Sequence, residues 1–142
     1  TGNMTINRCS VIMDLHDMAF QAPATGLHQN SLLYAMVNRH LWMQNCSFVG
    51  NGACVGAKGY VSSSVCVVGC PISDCNTAVE SCANGKVVVF NPSAVTYANN
   101  AVGADVYRGG IILLGENTPD TLGAATNVHS GGIIAKYNGT LI

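Results

Sequence analysis

Charge is what this chain has least of. Its 142 residues include six Lys and Arg and seven Asp and Glu, 9% of the total, where an ordinary soluble domain carries roughly 25%. The net charge is −1, so the basic surplus that neutralises nucleic-acid phosphates is missing and no nucleic-acid partner is expected. Long apolar runs are missing too. No stretch approaches the about 18 consecutive apolar residues of a membrane-crossing helix, and no membrane insertion is expected. Lys and Glu are too scarce for a coiled coil or a long-helix protein. Thr1-Gly2-Asn3 does not open a charged segment followed by an apolar one, so no secretory leader is expected.

Small polar and apolar residues fill the space that charge leaves. Hydrophobic residues make up 49% of the chain, and Gly, Asn, Ser and Thr supply about a third. That hydrophobicity with so little charge is the reverse of a disordered chain. The length allows one domain, residues 1–142, with a real core. Abundant Val among turn-forming residues points to an all-β fold. A surface so poor in charge solubilises a free monomer badly, so either sister chains cover part of it or hydroxyl and amide groups do the solvating.

Seven cysteines occur, at Cys9, Cys46, Cys54, Cys66, Cys70, Cys75 and Cys82. Cys66, Cys70 and Cys75 are spaced suggestively for zinc, but no His lies near them; the nearest are His40 and His129. No metal and no cofactor is expected. A disulfide framework suits short secreted chains, which leaves free, buried thiols that behave as small hydrophobes.

An internal repeat gives the thiols a place. Met4-Thr5-Ile6-Asn7-Arg8-Cys9-Ser10-Val11, Leu41-Trp42-Met43-Gln44-Asn45-Cys46-Ser47-Phe48, Val65-Cys66-Val67-Val68-Gly69-Cys70-Pro71-Ile72 and Val88-Val89-Phe90-Asn91-Pro92-Ser93-Ala94-Val95 share one pattern of apolar and small positions. Further copies start at residues 112 and 134, and Arg108-Gly109-Gly110-Ile111-Ile112 matches Ser130-Gly131-Gly132-Ile133-Ile134. Leucine-rich repeats need more Leu than the chain has. The pattern fits a right-handed parallel β-helix solenoid of about six coils of 22–24 residues, with Gly and Asn at the corners. Successive coils lie about 4.8 Å apart, so Cys9, Cys46 and Cys70 are expected to form an inward ladder beside Val11, Phe48, Ile72 and Val95. No cap is evident at either end. Solenoids need caps or continued stacking, so the chain is expected to be a segment of a longer protein, or to have its ends covered by subunits.

The first step of the repeat, from residue 4 to residue 41, is the long one, which predicts a loop insertion at about 14–31. Insertions in solenoids often carry the binding face. Asp14, His16, Asp17 and His28 lie there as candidate metal or acid–base residues, against the plainer reading of a polar surface loop. A second irregular part is expected at about 116–142.

Glycan hydrolysis usually needs two carboxylates. Glu80 and Asp105 are the candidates, although Glu80 aligns better with Gly103 than with Asp105, and Asp74 lies on a corner between them. The plainer reading is that sparse acids stay at solvated corners. For glycan binding, Trp42 alternates with Leu41 and Met43 and is expected to face outward. Tyr60, Tyr97 and Tyr107 fall near turns, with Lys58 and Arg108 beside them to meet acidic sugars. Asn3, Asn45 and Asn138 match the glycosylation sequon without a secretory context. No phosphate-binding loop, Gly-x-Ser-x-Gly elbow or HExxH motif is present.

The Asn-Cys-Ser-Phe-type repeat, Asn84-Gly85-Lys86-Val87, Gly109-Gly110-Ile111-Ile112 and Val128-His129-Ser130-Gly131-Gly132-Ile133-Ile134 resemble the right-handed β-helices of bacteriophage tail spikes and tail appendages, which share the pectate-lyase-like superfold. The resemblance runs from Met4 to about Ile134. It implies a homotrimer that attaches to the host by binding surface polysaccharide or lipopolysaccharide. It also implies a virion location, in the viral tail, after synthesis in the reducing bacterial cytoplasm. The function expected is a structural, host-glycan-binding segment of such an appendage. The alternatives are a polysaccharide-depolymerising hydrolase or lyase and a bacterial surface adhesin.

Overall fold

The computed structural model describes residues 4–8, 12–23, 30–37 and 40–142. Among them every regular element is a strand, as Val-rich segments broken by Gly and Asn dictate. The first coil holds β1 (Met4–Asn7), β2 (Ile12–His16) and β3 (Ala19–Gln21). The second holds β4 (Ser31–Met36), β5 (His40–Gln44) and β6 (Ser47–Val49), and the third β7 (Val55–Tyr60), β8 (Ser64–Val68) and β9 (Ile72–Ser73). Then come β10 (Thr77–Cys82), β11 (Lys86–Phe90) and β12 (Tyr97–Ala98), followed by β13 (Val102–Tyr107), β14 (Ile111–Leu114), β15 (Thr126–Val128) and β16 (Ile133–Lys136).

Each strand pairs in parallel with its counterpart one coil away. Sheet A runs β1-β4-β7-β10-β13-β15, sheet B runs β16-β14-β11-β8-β5-β2, and sheet C runs β12-β9-β6-β3. The protein is a parallel β-solenoid. It makes about five turns rather than six, because the last strands of sheets A and B have no sheet C partner.

Side chains alternate across each strand, and the inward set fills the column. Leu41, Met43, Val65, Val67, Val87, Val89, Ile112 and Leu114 line the inside of sheet B and are fully buried. From sheet C, Phe20 and Phe48 stack with ring centroids 4.9 Å apart and planes within 7°. Where a fifth sheet C strand would lie, a turn drops the fully buried Leu122 into the core.

The first repeat copy is displaced from the expected alignment. Met4–Asn7 belongs to sheet A and pairs with β4, whereas Leu41 pairs with Met13. Counted between register partners Met13, Leu41, Val65, Val87, Ile112 and Ile134, the steps are 28, 24, 22, 25 and 22 residues. Strands of all three sheets share the same two-residue alternation, so the pattern alone did not tell a sheet A strand from a sheet B strand. Cys9 and Val11, placed in the expected ladders, lie outside the described residues, as does His28. Asp14 and His16 sit in strand β2 rather than in a loop, and the extra length of this coil falls between β3 and β4. The aromatic and aliphatic column of sheet C is Phe20, Phe48, Ile72 and Tyr97. Tyr97 takes the place expected for Val95, because Val87 rather than Val88 is the partner of Val65 and the corner between β11 and β12 is three residues longer than that between β8 and β9; Ser93 is exposed rather than in the Cys70 slot.

Six cysteines among the described residues are free and buried. Cys46 and Cys70 do stack inward, and each thiol has a corner duty. Cys70 Sγ donates to Val68 O at 3.3 Å and Cys46 Sγ to Gln44 O at 3.5 Å, each adding a second bond to a carbonyl that already accepts from a backbone amide of the preceding coil, Asn45 N and Asp17 N respectively.

The corners explain the Gly-Gly-Ile-Ile repeat. Gly109 and Gly131 both have φ +77°, the left-handed region. The next glycine in each pair has no room for a side chain: a Cβ on Gly110 would lie 2.3 Å from Ser81 O, and one on Gly132 2.6 Å from Val106 O. Non-glycine residues also occupy left-handed corners, among them the exposed Val37 at φ 53°. That conformation costs an L-residue about 1–2 kcal/mol, and Asn tolerates it better. Val37→Asn is therefore expected to stabilise the protein by about 1 kcal/mol in urea unfolding.

At the far end of sheet B the chain turns back. Ile142 N donates to Ile134 O at 3.1 Å and Lys136 N to Thr140 O at 2.7 Å, so an antiparallel segment covers the edge of β16. The expected irregular part at about 116–142 thus contains two regular strands, β15 and β16, joined by turns.

Candidate functional site

Two outward faces carry chemistry, and the candidates divide between them. On sheet A the register brings Tyr34, Lys58, Glu80 and Asp105 into one row. Glu80 and Asp105 are direct partners, correcting the expected alignment of Glu80 with Gly103. The next outward row is Met36, Tyr60, Cys82 and Tyr107. Alternation puts all of them on the face away from the core.

One oxygen of Glu80 is engaged twice there. Lys58 Nζ lies 2.7 Å from Glu80 Oε1, with side-chain exposures of only 13% and 9%. The Tyr107 hydroxyl donates to the same oxygen at 2.5 Å. Burial first, and then the bond to Glu80, push the Tyr107 phenol far above its ordinary value, so it remains a donor at any working pH. The Lys58 ammonium stands 5.9 Å from the ring centroids of both Tyr34 and Tyr60, a cation–π arrangement. A carboxylate committed to an ammonium and a phenol is a structural counter-ion, poorly disposed to act as nucleophile or base. Asp105 Oδ1 is 3.0 Å from His129 Nε2, but no donor is aligned on that buried atom for a hydrogen bond.

Arg108, the residue after Tyr107, is exposed at a left-handed corner. Asp74 is at another corner, where Asn99 Nδ2 donates to its Oδ1 at 2.9 Å. That bond holds the Asp74 carboxyl below its usual range. Among the described residues no group of three or more His, Cys, Asp or Glu side chains is arranged to hold a metal ion.

Trp42 lies on the outer face of sheet B, as its alternation with Leu41 and Met43 requires. It forms part of a groove of about 530 Å³, within the usual range of small-ligand sites. Three rows make the groove. His40, Ser64 and Lys86 form a polar edge, Trp42, Cys66 and Val88 the floor, and Gln44, Val68 and Phe90 the far side. Tyr137 and Pro92 extend that far side. His40 Nδ1 is 3.2 Å from Ser64 Oγ, and its ring tilts against Trp42 at 5.8 Å. The Cys66 thiol on the floor is pushed up to about 11 by burial, which makes it a passive apolar surface.

Of the candidates read from the sequence, Lys58, Tyr60, Glu80, Asp105 and Tyr107 come together on sheet A, while Trp42 faces another direction. Lys86, His40, Phe90 and Tyr137 were not singled out. The signal was available for Lys86: it precedes Val87 as Leu41 follows His40, so register alone puts both on the row flanking Trp42. No protein-family model, no curated protein and no solved structure matches the chain.

Proposed function

We propose that this β-solenoid is a structural and glycan-binding segment of a trimeric bacteriophage tail spike or tail appendage, with host surface polysaccharide or lipopolysaccharide as its ligand. The observation that carries the reading is the Trp42 groove. Saccharides present C–H faces to aromatic rings and hydroxyls to polar edges, and the groove offers Trp42 and Tyr137 beside a row of His40 and Ser64. It crosses three successive coils, on β5, β8 and β11, so its rungs repeat every about 4.8 Å, a regular surface for a polymer. The virion setting is supported by the repeat resemblance and by free cysteines, which suit synthesis in a reducing cytoplasm. Scarce charge supports a trimer, and sheet C, whose outward Ala19, Gln21, Ser47, Val49, Ser73 and Ala98 carry none, is the face left for packing. The engagement of Glu80 by Lys58 and Tyr107 favours binding over cleavage.

Trp42 is the sole tryptophan, so its fluorescence reports the groove directly. A host-polysaccharide panel should change that fluorescence, and Trp42→Ala should weaken binding by about thirtyfold, as for an aromatic anchor. A panel in which no glycan perturbs Trp42 would remove the binding reading. Light scattering that found a stable monomer would remove the trimer.

A further inference from the structure

We infer that the groove on sheet B selects acidic saccharides, with Lys86 as the residue that meets the ligand carboxylate; this rests on the glycan-binding reading above. The charge distribution carries the inference. Lys86 is the one formally charged side chain among the groove residues, and no carboxylate lines it. The three ion pairs among the described residues involve Lys58, His129 and Lys136, so Lys86 is in none of them. The other candidate cation, Lys58, is spent on Glu80.

Position adds direction. Lys86 is on β11, while Asp14, the acid in register with Trp42, is on β2 at the opposite side of the groove, beyond its lining. An anionic group is attracted to the Lys86 end and repelled from the other. The cation stands on the polar edge with His40 and Ser64, one row from the apolar floor. A ligand that fits has an apolar face for Trp42 and Val88 and a carboxylate projecting sideways from it. A uronate-containing oligosaccharide has that shape. A fatty carboxylate carries its charge at the end of a flexible tail, and a second copy of this chain brings few acids to offer.

The test uses the full chain and Trp42 fluorescence. The probes are a tetrasaccharide of alternating glucuronate and N-acetylglucosamine and the same tetrasaccharide with its carboxyls reduced to alcohols. The acidic probe should bind about tenfold more tightly, the worth of one charge-assisted contact. Lys86→Met should make the two affinities equal, and Lys86→Arg should restore the preference. Equal affinities in the unaltered protein would overturn the acidic preference and leave glycan binding standing. A fluorescence signal from neither probe nor from the host panel would sink both. Displacement of the acidic probe by dodecanoate at comparable affinity would assign the groove to fatty carboxylates. Trp42 shielded from acrylamide in the unliganded protein would assign it to a second copy, and either result overturns the inference.

Discussion

Phe48→Ala is expected to cost about 4 kcal/mol of stability, measured as the shift in urea unfolding. Phe48 is 1% exposed and belongs to the column that sheet C sends into the core. Its ring stacks on Phe20 in the preceding coil, and its register partner in the next is Ile72. Truncation therefore opens a cavity bounded by two neighbouring coils and forfeits an aromatic stack worth about 1 kcal/mol beyond area burial. The walls cannot close in, because parallel ladders hold the coils at a set spacing. A milder trim in the same column, Ile72→Val, should cost about 1 kcal/mol. If Phe48→Ala cost no more than Ile72→Val, the interior would be far more collapsible than this packing implies.

Lys58→Met is expected to destabilise the protein by about 3 kcal/mol. The Lys58–Glu80 pair is almost wholly desolvated on the outside of sheet A. Removing the ammonium leaves a carboxylate under Tyr34, Tyr60 and Tyr107 with a single phenolic donor. The double variant Lys58→Met with Glu80→Gln removes both charges, and Tyr107 can still donate to the amide oxygen. It should recover most of the loss, ending within about 1 kcal/mol of the starting protein. A double-mutant cycle in urea reads this directly. Additive losses would mean that the two groups act independently and that Glu80 is better solvated than its burial indicates.

Much of the fold was legible because a solenoid writes itself repeatedly. The alternation in Leu41-Trp42-Met43 and Val65-Cys66-Val67, the corner glycines and the inward thiols at Cys46 and Cys70 all follow from one coil seen several times. What was lost was phase. A period of two is the same in every sheet, so Met4-Thr5-Ile6-Asn7 was matched to the wrong strand, and strand β2 was read as a loop. The site suffered from the same ambiguity. Trp42 was placed outward from its immediate neighbours, but its company depends on register between coils. Glu80 was set against Gly103 because coils of 22 and 25 residues do not align by counting, and Lys86 escaped notice because the fourth repeat copy was matched from Val88, one residue away from Val87, the register partner of Val65.

The coil-on-coil register has a consequence for what stability means in this molecule. Ladder partners are separated by 22 to 28 residues along sheet B, and each internal coil pairs only with the one before and the one after. Such a chain behaves as a one-dimensional array of nearest-neighbour couplings. Its amide protons should exchange in a gradient, slowest in β7, β8, β10 and β11 at the middle of the stack, and faster toward the outer strands. A defect in one coil then uncouples the segments on either side of it, and the protein comes apart as a line of domino pairs instead of as a single drop.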